Sequence, residues 1–143
     1  MTTSYILDIE ADNLLDAITT VHSIVMRCSV TGELVISAST NEEGTIAKAL
    51  ELAASADVLI GHNVMGYDVP ALQSVFPGWT TTARLYDTLI ASRVVWSDMF
   101  KVDMIHRETN PDFPGKLMGR HSLAAWGERL GEAKGDYTTD CKE

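Results

Sequence analysis

The alternation of apolar and polar positions divides the chain into short strands and helices. Tyr5 to Ala11 alternates with a period of two and predicts an early central strand. Asp12 to Thr20 is a connection, followed by a second strand over Val21 to Val30, a turn at Thr31-Gly32 and a third strand over Glu33 to Ala38. These three strands are expected to form an antiparallel meander. Asn41 is a suitable helix cap, with Glu42 and Glu43 in the first turn. Ile46, Leu50, Ala53 and Ala54 continue as an apolar stripe, so this helix is expected to end near Ser55.

Asp57 to Gly61 is a compact apolar strand. Because it follows a helix, it is expected to lie parallel to the first strand. Past His62 and Asn63, the next helix is expected to open at Asp68, since Pro70 suits a first turn and Val69, Leu72 and Val75 repeat at helical spacing. Ala83 to Tyr86 predicts a short strand, and Asp87 to Trp96 a helix with Leu89, Ile90 and Val94 inward. No period holds from Ser97 to Gly119, where Pro111, Pro114, Gly115 and Gly119 interrupt, so an irregular loop is expected. Ser122 can cap a last helix with Leu123, Trp126, Gly127 and Leu130 inside, stopped at Gly131 or Gly135.

Two acids stand inside the first apolar run. Asp8 and Glu10 are two residues apart, so a strand places both on one face of the sheet. Either the strand end emerges into water and exposes two ordinary acids, or the pair meets a cation. Oxygen ligands favour a hard divalent ion such as Mg²⁺ or Mn²⁺. Asp68 adds a third acid at a strand-to-helix junction, the end of an α/β sheet where ligands bind.

With 143 residues, 45% hydrophobic and 22% charged, the chain suits one globular α/β domain over 1–143. No apolar run is long enough for a membrane span and the first residues lack a signal-peptide plan, so a cytoplasmic location without membrane association is expected. Cys28 and Cys141 match no metal spacing and are too few for a disulfide scaffold. A net charge of −9 argues against sequence-blind affinity for nucleic acid, which relies on Lys and Arg at phosphates. Residues 1–60 carry nine acids and two bases, whereas residues 61–143 carry eleven acids and nine bases, so any phosphate-facing surface belongs to the second half.

Several motifs in order resemble the 3′–5′ exonucleases of the DEDD (DnaQ-like) superfamily: Asp8-Ile9-Glu10, His62-Asn63, Tyr67-Asp68, and Asp87-Thr88-Leu89. The likeness is greatest to the N-terminal proofreading domain of phage family-A replicative DNA polymerases. It extends through Tyr67-Asp68-Val69-Pro70-Ala71-Leu72 and through Gly119-x-His121-x-Leu123-x-Ala125-Trp126-Gly127-x-x-Leu130-Gly131, and it covers roughly Tyr5 to Tyr137. As in the phage branch, three residues, Val64, Met65 and Gly66, separate the motif Asn from the Tyr-Asp pair.

The resemblance implies a ribonuclease-H-like mixed sheet with helices on both faces, C-terminally incomplete. It also implies two-metal hydrolysis of a single-stranded or frayed DNA 3′ end into 5′-monophosphates. Asp8, Glu10 and Asp68 would be the catalytic metal ligands for Mg²⁺ or Mn²⁺, with Asp8 bridging two ions and Glu10 on the ion that carries the nucleophile. Such enzymes take a fourth Asp from a late Tyr-x-x-x-Asp or His-x-x-x-x-Asp motif, which this chain does not reach. Tyr137-Thr-Thr-Asp140 has two intervening residues rather than three, so Asp140 is not expected to supply it. A polymerase domain or C-terminal fragment is the implied partner.

Other positions keep two readings. Leu14 matches the place where relatives wedge an apolar side chain between terminal bases, and otherwise belongs to the core. Asn63 either helps hold site or substrate or simply forms a turn. Lys116 and Arg120 either meet phosphates or stay solvated. His62 and His121 are expected to be structural hydrogen-bonding histidines, and Trp126 core. One rival class is a DNA-end-binding or polymerase-assembly module that keeps the fold without turnover. An Asp-based phosphatase would need Asp-x-Asp-x-Thr at the first strand, which Ile9 and Glu10 do not supply.

Overall fold

The computed structural model describes residues 2–132. The expectations that fall on Gly135, Tyr137, Asp140 and Cys141 lie outside the described residues. The chain divides into two compact units, Met1–Thr88 and Leu89–Glu143, each described by itself.

The first unit is a five-stranded mixed sheet. Its strands are β1 (Ser4–Ala11), β2 (Val21–Cys28), β3 (Leu34–Ser39), β4 (Val58–Gly61) and β5 (Arg84–Asp87), in spatial order β3-β2-β1-β4-β5. β1 is central. β1, β2 and β3 form the expected antiparallel meander, while β4 lies parallel to β1 and β5 parallel to β4. Alternation along β1 buries Leu7 and Ile9 and leaves Asp8 and Glu10 exposed on the opposite face. Leu7 and Ile9 join Ile24, Met26 and Leu59 in one core with Ala49 and Ala53 of α1 (Thr45–Ser55) and Ala71 and Leu72 of α2 (Asp68–Val75). Burial of each large apolar side chain here contributes about 1.5–3 kcal/mol. The architecture is α/β and consistent with a ribonuclease-H-like fold.

α1 does not begin at Asn41. Its cap is Gly44, in the left-handed region, and Glu42 and Glu43 lie in the preceding turn. The Thr45 hydroxyl fixes this start, donating to the Ser39 carbonyl (2.9 Å) and accepting from the Ser39 amide (3.0 Å).

The second unit corrects the sequence reading more deeply. The stretch from Ser97 to Gly119 is not an irregular loop: it contains α4 (Met99–Thr109) and a 3₁₀ turn at Gly115–Leu117. Asp98 caps α4 by accepting from the Lys101 amide. The buried residues of α4 are Met99 and Asp103, so a charged residue occupies the inner face where an apolar period would have revealed a helix. Arg129, on α5 (Leu123–Leu130), explains this: it grips the Asp103 carboxylate through Nε and Nη2, each at 2.7 Å. Its guanidinium also lies over the rings of Phe113 and Trp126. Within α5, Leu123 and Leu130 are therefore exposed, Ala125 is buried, and Trp126 is half-buried in an edge contact with Trp96. In α3 (Thr88–Val95), Ile90 and Val94 are likewise exposed and Ser92 is the buried residue, bonded to His121. No helix among the described residues is long and apolar enough to cross a membrane.

Candidate functional site

β1 continues beyond its last partner on β4: the parallel pairing ends at Ile6↔Ile60, whereas β1 runs on to Ala11. The chain leaves β4 at Gly61 because no side chain fits there. A Cβ would stand 2.8 Å from the Val64 Cβ and 3.0 Å from the Leu7 carbonyl oxygen. It then turns at Asn63, whose φ of 72° is left-handed, a conformation Asn tolerates better than most residues. The Asn63 carbonyl accepts from the amides of Gly66 (3.0 Å) and Tyr67 (2.8 Å), closing the turn that delivers Asp68 to the start of α2.

Asp68 is only 5% exposed and lies close enough to Asp8 to feel its charge. Of the three sequence-predicted acids, Asp68 and Asp8 are thereby brought near one another, and Glu10 shares the face of β1 that carries Asp8. Burial, and next the charge of Asp8, push the Asp68 pKa from 3.8 up to about 6; Asp87 adds to this, and the Ile9 and Asp68 amides oppose it. Asp8 and Glu10 themselves face solvent. Among the described residues, no group of three or more His, Cys, Asp or Glu side chains is already arranged to hold a metal ion. The donor chemistry nevertheless fits a hard divalent cation: these are carboxylate oxygens, and one is buried against a like charge that a cation would relieve.

Sequence reasoning missed the part played by Asp87, which ends β5 and is 6% exposed. Its two oxygens accept from the amides of Asn63 and Met65, both at 3.1 Å. The available signal was its position at the end of the strand next to β4, the same kind of junction that singled out Asp68.

Leu14 is 74% exposed, which excludes a core role. The connection that carries it is braced at two points. Asp12 accepts from the Thr19 hydroxyl and from the amides of Thr19 (3.0 Å) and Thr20 (3.1 Å), bonds that hold its carboxyl down at about 2. The Tyr67 hydroxyl donates to the Asn13 carbonyl at 2.8 Å, so the residue before Asp68 touches the residue before Leu14. Asn63 serves as the turn former, with an exposed side chain. His62 shares a hydrogen bond with Thr88 at 3.1 Å and His121 with Ser92 at 3.1 Å, as expected of structural histidines. Lys116 and Arg120 belong to the second unit and are exposed, Arg120 donating through Nε to the Lys116 carbonyl.

These features define an α/β chain whose central strand presents Asp8 and Glu10 on one face, with the buried Asp68 near Asp8. Over 149 aligned positions the chain is 37% identical to the DNA-directed DNA polymerase of Escherichia phage T7 and 36% identical to that of Enterobacteria phage T3. Each alignment covers 94% of this chain and 20% of the polymerase, so the chain is homologous to a part of these enzymes and spans about a fifth of their length. No family model matches it. Among solved structures, a family B DNA polymerase from the hyperthermophilic archaeon Pyrobaculum calidifontis aligns at 19% identity and a TM-score of 0.36 over 52% of this chain and 11% of its own, too slight a likeness to bear on function.

Proposed function

We propose that the chain is the 3′–5′ exonuclease part of a phage DNA polymerase, removing 3′-terminal nucleotides from single-stranded or frayed DNA. The observation that carries this reading is the burial of the Asp68 carboxylate at the start of α2, close enough to Asp8 of the central strand to feel its charge. Homology to phage polymerases over nearly the whole chain supports the same reading.

Asp8, Glu10 and Asp68 would hold Mg²⁺ or Mn²⁺. Bound there, such ions supply a hydroxide near neutral pH and stabilise the leaving 3′ oxygen. The protein's own contribution is to hold Asp68 in place through the Asn63 turn and to present Leu14, on its braced connection, to the terminal bases. Asn63, Lys116 and Arg120 are proposed substrate contacts. Neither Tyr-x-x-x-Asp nor His-x-x-x-x-Asp occurs among the described residues, so a polymerase segment carrying such a motif is the proposed partner for full activity. A general base contributes about 10²–10⁴-fold, which sets the expected gain from that segment.

A second reading, a module that binds DNA ends without turnover, draws on the absence of a ready three-ligand group among the described residues. A labelled oligonucleotide incubated with the chain, Mn²⁺ and a polypeptide carrying the fourth-acid motif separates the two. Shortening from the 3′ end that Asp8→Ala abolishes supports the exonuclease. Tight binding of the 3′ end with no shortening in any combination supports the binding module.

A further inference from the structure

Asp87 is a buried carboxylate with no place in the proposed ligand set. Both its oxygens take amides of the segment between β4 and α2, at Asn63 and Met65. Those two amides flank the left-handed turn, the part of the segment most costly to hold in one conformation. Downstream, Gly66 and Tyr67 bond the Asn63 carbonyl, the Val69 amide bonds the Val64 carbonyl, and α2 opens with Asp68. A Cβ at Gly66 would stand 2.5 Å from the Asn63 side-chain oxygen, so the turn is tightly closed.

Hydrogen bonds from neutral amides to a carboxylate are about twice as strong as neutral pairs. Two of them onto one buried group fix the turn at both sides of its strained residue. The charge of Asp87 is also felt at Asp68, which places the two carboxylates in the same neighbourhood despite their repulsion.

We propose that Asp87 is a positioning residue, holding the Asn63–Tyr67 turn so that Asp68 stands beside Asp8 and completes the cation site on β1. The cation half of this rests on the proposed function; the placement of Asp68 does not. Residues that orient metal ligands from behind typically change metal affinity by about 10–100-fold, and that range is expected here.

The test uses the full chain with Asp87→Asn, Asp68→Ala and the double variant. Amide NMR resonances of Asn63, Met65 and Ile9 are followed without metal, and Mn²⁺ binding by calorimetry. The Ile9 amide resonance in Asp87→Asn is expected to move toward its position in Asp68→Ala. The Mn²⁺ dissociation constant is expected to rise about 10-fold or more in Asp87→Asn, with no further rise when Asp87→Asn is added to Asp68→Ala. A shift confined to Asn63 and Met65, with Ile9 unmoved, overturns the proposal, as does an equal loss of Mn²⁺ affinity in the Asp68→Ala background. Movement of Ile9 in a chain that binds no Mn²⁺ supports the positioning and overturns the metal reading instead. Where Asp87→Asn does not fold, Asp87→Ser, which keeps an acceptor for one amide, carries the same measurements.

Discussion

Asp68, buried at the start of α2, lies within reach of the charge of Asp8 on β1. Burial first, and next that like charge, raise the Asp68 pKa from 3.8 to about 6.

That rise has a consequence for stability in metal-free solution. A group whose folded pKa is raised contributes stability that is complete below its unfolded value and is lost as pH rises through the folded value. The window is therefore from 3.8 to about 6, and the ionised Asp68 destabilises the fold above it by about 3 kcal/mol. Asp68→Asn is expected to be more stable than the parent at pH 7.5 by up to that amount. The advantage should disappear near pH 4. Urea unfolding in chelator-treated buffer across this range measures it.

The turn from β4 admits no side chain at Gly61. Gly61→Ala is expected to cost about 1–3 kcal/mol, because the added methyl meets the Val64 Cβ and the backbone of Leu7 rather than a movable side-chain tip. Thermal unfolding checks this.

Leu14 should separate substrate contact from stability. It is largely exposed, so Leu14→Ala is expected to change unfolding free energy by less than about 0.5 kcal/mol. Under the proposed function the same substitution weakens binding of a 3′-ended oligonucleotide, read by fluorescence anisotropy against a 3′-blocked control.

In the second unit the buried Asp103–Arg129 pair is the sensitive element. Arg129→Met, which leaves Asp103 buried and uncompensated, is expected to destabilise by about 3–5 kcal/mol. Asp103→Leu combined with Arg129→Met should recover much of the loss. Burial pushes the Asp103 pKa up, but the bonds from Arg129 and the Gly119 amide outweigh it and leave the pKa lowered. The stability this pair supplies is therefore present above 3.8 and lost as pH falls through the folded value.

The sheet was legible in the sequence because its strands obey simple alternation: Leu7 and Ile9 inward, Asp8 and Glu10 outward, with a compact apolar β4 after a helix. The shared exposed face of Asp8 and Glu10 was legible for the same reason. α4 was not, since its buried face is centred on Asp103 and its larger apolar residues, Phe100, Met104 and Ile105, face solvent. The inward faces of α3 and α5 were misread for a related reason: Ser92 and Arg129 take the inner positions through hydrogen bonds that no hydrophobic period records. Asp87 was read as the start of a helix and part of a motif but not as an anchor of the Asn63 turn, because its two amide partners lie 22 and 24 residues earlier in the chain.

The central claim is that Asp8, Glu10 and Asp68 form one cation site. Isothermal titration of Mn²⁺ into the metal-free chain, its Asp8→Ala variant and its Asp68→Ala variant tests it most directly. The account predicts saturable binding by the parent chain that falls by at least about tenfold in both variants, a loss of about 1.4 kcal/mol or more. Equal Mn²⁺ affinity in all three proteins would contradict it.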